Sequence, residues 1–156
     1  MNSWIDQLKL LPHPEGGYYR ETYRAAGEFF TGRPGETRSF STAIYFLLEK
    51  SDRSRFHRIQ SDEIWHYHAG GRLKLFTLTE RGVVTQTLGP DIMRGDQLQI
   101  VIPARHWFGA LVVEGDYVLS SCTVSPGFDF KDFELADRVH LLDLYPEQTE
   151  IITRLT

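Results

Sequence analysis

A single cysteine, Cys122, stands among 156 residues, so no disulfide can form within the chain and stability has to come from a packed core. No apolar run reaches the roughly 18 residues that a membrane-spanning helix needs. The opening Met1-Asn2-Ser3-Trp4-Ile5-Asp6 lacks the basic region and apolar stretch of a signal peptide, which makes the cytoplasm the expected location. Positive charge is also in short supply. With 17 Lys and Arg against 21 Asp and Glu, the formal charge is −4 and no basic stretch stands out, so neither nucleic acid nor a membrane surface is an expected partner. Internal repeats and low-complexity tracts are missing too.

What remains is the composition of a globular protein, 41% hydrophobic and 24% charged, with 13% aromatic residues available for a core or a ligand pocket. The length suits one domain spanning 1–156. Ser3 to Leu11 reads as a helix with Ser3 as N-cap and Trp4, Ile5, Leu8 and Leu11 on one face, ended by Pro12 and Pro14. From Gly17 onward the pattern is one of short β-rich runs. They fall near Tyr18–Arg24, Thr42–Glu49, Ser54–Ile59, Glu63–His68, Leu73–Thr79, Val83–Leu88, Gln97–Ile102, His106–Val113 and Tyr117–Val124. Turn signals separate them at Gly70-Gly71, Arg81-Gly82, Gly89-Pro90 and Glu114-Gly115-Asp116, and the segment Glu28–Arg38 reads as a mobile loop. A final helix opens at Pro146, with Ile151, Ile152 and Leu155 facing the barrel exterior. Strands without helices between them cannot form a parallel sheet, which leaves an antiparallel sandwich or barrel. Cys122 lies in one of these strands and reads as a packed, inert thiol.

Two stretches resemble the paired signatures of the cupin superfamily. The first is His57-Arg58-Ile59-Gln60-Ser61-Asp62-Glu63 followed by Gly70; the second is Gly95-Asp96 leading through Leu98, Ile100 and Ile102 to Pro103-Ala104. A closer resemblance is to an uncharacterised cupin family, a domain of unknown function. It is carried by Pro12-His13-Pro14-Glu15-Gly16-Gly17, by Ser61-Asp62-Glu63-Ile64-Trp65-His66-Tyr67-His68-Ala69-Gly70, and by Val124-Ser125-Pro126-Gly127-Phe128-Asp129-Phe130. The resemblance implies an all-β double-stranded β-helix, or jelly-roll barrel, with short terminal helices, and a homodimer.

Metal-binding cupins use two histidines and a glutamate from the first signature and one histidine from the second. Here His57 and Glu63 occupy two of those places, while Ile59 and Phe108 stand at the others and Arg105 replaces the usual turn glycine. No cofactor is therefore expected. If a divalent metal does bind, His57, Glu63, His66 and His68 are the side chains to hold it. Strand alternation opposes that set, since Glu63, Trp65 and Tyr67 point one way and His66 and His68 the other, so a β-bulge would be needed.

Without a metal, His57 and Glu63 would share an aromatic-walled cavity suited to a small sugar-like ligand. Distant similarity to cupin sugar-nucleotide epimerases suggests isomerase chemistry, with His57 as base, Glu63 orienting it, and Tyr45 or Tyr67 as acid. Glu15, Arg20, Trp65, His66, His68, Arg105 and Trp107 are the candidate ligand-binding residues. Glu15-Gly16-Gly17 further suggests a close backbone approach with positive φ, either for a ligand or for an N-terminal strand packing against a partner subunit. Pro126-Gly127-Phe128-Asp129-Phe130 reads as a turn with aromatic packing on the outer wall. The alternatives are a binding or storage-like cupin and a metal-dependent one.

Overall fold

The computed structural model describes Ser3–Thr156, apart from the Ser3 side chain, so the expected N-cap lies outside the described residues. In chain order the elements are α1 (Ser3–Gln7), β1 (Leu11–Pro12), β2 (Tyr18–Arg24), β3 (Glu28–Phe30), β4 (Thr37–Ser39), β5 (Thr42–Glu49), β6 (Ser54–Arg58), β7 (Asp62–Thr79), β8 (Gly82–Leu88), β9 (Gln99–Ile102), β10 (Phe108–Ser125), β11 (Glu134–Leu135), α2 (Arg138–Leu144) and α3 (Thr149–Leu155). This is the jelly-roll barrel the sequence led us to expect, with helices near both ends of the chain. No helix among the described residues is long and apolar enough to cross a membrane.

The first helix is shorter than its apolar pattern. Lys9 turns left-handed at φ 53°, the Leu10 N–H bonds back to the Ile5 carbonyl, and Leu11–Pro12 leave the helix to pair with Tyr18–Tyr19. Trp4, Ile5 and Leu8 still cover the barrel, packing against Leu10, Leu47 and Leu119.

Strands β5, β6 and β7 all pair with β10, which makes it the spine of the sheet. Both β7 and β10 run for 18 residues without a break, where the sequence suggested pairs of shorter strands. Gly70-Gly71 and Glu114-Gly115-Asp116 are bends inside these strands rather than turns between them. At the bend Gly70 and Gly115 adopt φ of 101° and 83°, and a Cβ on Gly71 would lie 1.7 Å from the Glu114 carbonyl oxygen. Glycine there lets two long strands fold over together, so each contributes to both walls of the barrel. Phe46, Leu48, Trp65, Leu73, Leu75, Ile100, Phe108 and Val118 fill the space between.

Two segments differ from their sequence-based expectation. Glu28–Arg38, expected as a loop, holds the β3–β4 hairpin, in which Arg38 is 5% exposed and donates to Asp132 at 2.7 Å and 3.0 Å. The unanticipated α2 is capped by Asp137, whose Oδ1 accepts from the His140 N–H. Together α2 and α3 bury Leu141, Ile152 and Leu155 against Phe56, Leu78, Trp107 and Leu111 on the barrel exterior.

The bend makes a specific demand on stability. Gly71→Ala should destabilise the fold by more than about 3 kcal/mol, because backbone must move, whereas Gly35→Ala, in open space at φ 74°, should cost about 1 kcal/mol in urea denaturation.

Candidate functional site

One end of the barrel opens into a cavity of about 550 Å³. Strand alternation aims Tyr19 and Glu21 of β2, Ile44 and Phe46 of β5, Glu63 and Trp65 of β7, and Cys122 and Val124 of β10 into it. The N-terminal segment adds Leu11, His13 and Glu15. The remaining wall is a strap after β10 bearing Phe128, Asp129, Phe130 and Phe133. That strap was expected on the outer wall with no chemistry; instead it lines the cavity. It is fixed by the Arg38–Asp132 ion pair and by the Phe128 N–H donating to Thr42 Oγ1.

Deep in the cavity His57 is 2% exposed, and its partner is not Glu63. Its Nε2 lies 3.0 Å from Glu15 Oε2, and Ser54 Oγ donates to Glu15 Oε1 at 2.6 Å. Ser54 and His57 are three residues apart and would point to opposite faces of a regular strand. A register shift in β6 between them, opposite Ala110 and Phe108 of β10, lets both reach the same carboxylate. A bulge therefore does build this site, on β6 rather than on β7. Glu15 is carried there by the backbone turn anticipated at its glycines: Gly16 and Gly17 take φ of 113° and 72°, and a Cβ on Gly16 would lie 2.0 Å from the Arg53 carbonyl oxygen. The Arg55 N–H bonds the Glu15 carbonyl and clips this segment to β6.

Both ring nitrogens of His57 face acceptors. His57 Nδ1 sits 2.7 Å from the Arg55 carbonyl, which can only accept, so Nδ1 carries a proton. Nε2 faces the Glu15 carboxylate and carries one as well. Burial alone would lower the His57 pKa and raise that of Glu15, but their mutual attraction and hydrogen bond outweigh it, and the net shifts are upward for His57 and downward for Glu15. His57 is a captive imidazolium. His13 differs: its Nδ1 accepts the Glu15 N–H at 3.2 Å, and burial, opposed by the Glu15 charge and aided by that of His57, holds its pKa down, so this ring is neutral.

Glu63 is 8% exposed and forms no ion pair among the described residues. Burial pushes its pKa up to about 7; the His57 charge opposes the rise and the Glu15 charge adds to it. The Cys122 thiol and Trp65 indole stand beside it and favour its ionised form. Trp65 Nε1 is nevertheless buried without a hydrogen-bond partner of normal geometry. Cys122 is packed as expected, with burial keeping its thiol protonated.

Several sequence candidates lie elsewhere. His66 and His68 face the outside of the sheet, where His66 bonds Thr123 and Gln99 and His68 bonds Ser121. They do not share a space with His57 and Glu63, and among the described residues no group of three or more His, Cys, Asp or Glu converges as a metal site. The four side chains named for a metal thus do not fit one as a set. Tyr45 packs outside against Leu47 and Leu119, with the Arg20 guanidinium 5.8 Å from its ring. Arg20 borders the cavity, with its cationic end over that ring. The Tyr67 hydroxyl is engaged by the Gly70 carbonyl at 2.7 Å and is not part of the cavity wall. Arg105 is exposed in a left-handed turn, and Trp107 lies under the C-terminal helices with Arg58 over its ring, so neither lines the cavity. Of the expected ligand-binding residues, Glu15 and Trp65 belong to the wall and Arg20 to its edge. His13, Tyr19, Cys122 and the strap aromatics were not among the expected site residues, although Cys122 pairs with Trp65 across the ladder and so shares its face.

Residues 2–136 match a protein-family model described as cupin superfamily (DUF985). A hypothetical protein from Leishmania major is 36% identical, with a TM-score of 0.92 over 99% of this chain and 97% of that one. Protein SO0799 from Shewanella oneidensis is likewise 36% identical, with a TM-score of 0.91 over 99% of this chain and 95% of its own. The uncharacterized protein YML079W of Saccharomyces cerevisiae is 29% identical over 143 residues, 82% of this chain and 71% of that protein. Oxalate decarboxylase from Bacillus subtilis shares the fold alone, at 12% identity and a TM-score of 0.58 over 93% of this chain and 36% of its own.

A carboxyl whose pKa is raised by folding favours the native state at low pH and loses that contribution as the unfolded chain ionises first. For Glu63 the window runs from its ordinary 4.5 to about 7 and is worth about 3 kcal/mol. Glu63→Gln should therefore be more stable than the wild type by up to about 3 kcal/mol at pH 8 and equal to it within about 1 kcal/mol at pH 4, measured by urea unfolding. A constant difference at both pH values would contradict a buried, unpaired carboxyl.

Proposed function

This chain belongs to the DUF985 family of the cupin superfamily, and on that footing we propose that it binds a small organic molecule in its barrel, with Glu63 as the polar anchor. The observation that carries this reading is a buried carboxyl aimed into an open cavity with no ion-pair partner among the described residues, beside only the Cys122 thiol and the Trp65 indole. Burying a carboxyl beside weak donors and no ion-pair partner is costly, and a bound ligand group would offset that cost. The cavity lies within the usual range for small-molecule sites, and its wall of rings and aliphatic side chains fits a ligand with an apolar or planar body better than a polyhydroxylated sugar.

Isomerase-type proton transfer beside a carbonyl is the second reading, with the roles redistributed. His57 cannot serve as base, because both its ring nitrogens are protonated and bound to protein atoms. Glu63, poised near neutrality, takes that place, and Tyr19 is the wall tyrosine in place of Tyr45 and Tyr67. Binding comes first because both His57 N–H groups are committed, which leaves that imidazolium unable to donate to a carbonyl oxygen.

The two readings separate on one pair of measurements. A ligand found by thermal shift should raise stability by about 3 kcal/mol at a hundredfold excess over its Kd, and Glu63→Gln should weaken it at least tenfold. Deuterium incorporation from heavy water into that ligand establishes turnover; its absence, with binding intact, leaves a binding protein.

A further inference from the structure

Resting on the reading of the barrel as a ligand site, we infer that its ligand is a small organic cation, an amine with an apolar body, whose ammonium group pairs with Glu63 inside a cage of aromatic rings. The first support is the balance of charge in the cavity wall. Four carboxyl groups, Glu15, Glu21, Glu63 and Asp129, face three cationic residues, Arg20, Arg24 and His57. Two of those cations are ion-paired within the wall. Arg24 donates to both oxygens of Glu21, at 2.9 Å and 2.7 Å, and to the Phe128 carbonyl. His57 is neutralised by Glu15, and the Arg20 guanidinium lies against Tyr45 outside the barrel.

Of the cations in the described wall, Arg24 and His57 are thus ion-paired, and Arg20 at the edge has its guanidinium over the Tyr45 ring. On the acidic side Glu63 has no cation of its own, and Asp129 accepts only from the Lys131 N–H at the rim. A carboxylate or phosphate ligand would enter a site with surplus negative charge, where Arg20 at the edge is the one cation of the described wall outside an ion pair. A pyrophosphate, as in a sugar nucleotide, is disfavoured for the same reason.

The second support is the ring wall itself. Tyr19, Phe46, Trp65, Phe128, Phe130 and Phe133 all border the cavity, and ring faces attract cations while offering nothing comparable to anions. A buried carboxylate beside stacked aromatic faces is the combination that binds organic ammonium groups. A neutral ligand would gain from the rings but form no ion pair with Glu63 once that carboxyl is ionised.

Calorimetry with three size-matched probes tests this: phenethylamine, 2-phenylethanol and phenylacetate, titrated at pH 8 into the wild type, Glu63→Gln and Phe130→Leu. The amine should bind the wild type at least tenfold more tightly than the alcohol, and phenylacetate should bind more weakly than either. Glu63→Gln should reduce the amine to the level of the alcohol. Phe130→Leu, at a half-exposed rim position where folding is safe, should weaken the amine about threefold and leave the alcohol unchanged. Equal binding of amine and alcohol by the wild type, or retained preference in Glu63→Gln, would overturn the cationic ligand while leaving the cavity a binding site. Failure of all three probes to bind at millimolar concentration would overturn both.

Discussion

The ion pair between Glu15 and His57 is the contact on which the rest of the site depends. It joins the N-terminal segment to β6 across the barrel end, and both partners are at least 95% buried. Three local irregularities serve it: the left-handed glycines that bring Glu15 inward, the β6 bulge that aligns Ser54 with His57, and the Arg55 contact that clips the segment in place. A buried ion pair is expensive to desolvate, and it is tolerable here because both Glu15 oxygens and both His57 nitrogens are satisfied.

The pair also has a consequence for Glu63. Had His57 paired with Glu63, the cavity would hold a neutralised couple and no group ready for a ligand. Because Glu15 takes the imidazolium, Glu63 is left buried beside a cation it does not bond, with a second carboxylate close enough to repel it. The result is a carboxyl that titrates near neutrality in a ring-lined space. Functional readiness at Glu63 and structural closure at Glu15 are two sides of one arrangement.

Much of this was legible in the residues. Strands Tyr18–Arg24 and Thr42–Glu49 coincide with β2 and β5, because alternating aromatic and β-branched residues bounded by turn residues leave few other options. Alternation also separated Glu63 and Trp65 from His66 and His68 correctly. The misses share a cause. Gly70-Gly71 has the local chemistry of a turn, and only the partner strand shows that it is a bend within β7. Glu15 lies 42 residues from His57 in sequence, and its reach depends on a bulge that parity arguments cannot foresee. The strap from Phe128 to Phe133 carries no period, so its inward face is decided by the Arg38–Asp132 contact, between residues of two segments that were expected to be loop and turn.

Nitrogen-15 NMR of the histidine side chains tests the central claim most directly. The account predicts that at about pH 7 His57 shows two protonated ring nitrogens while His13 shows one. A His57 ring with one bare nitrogen at that pH would contradict it, since the imidazole would then be free to act as a base and Glu63 would no longer be the group left waiting for a partner.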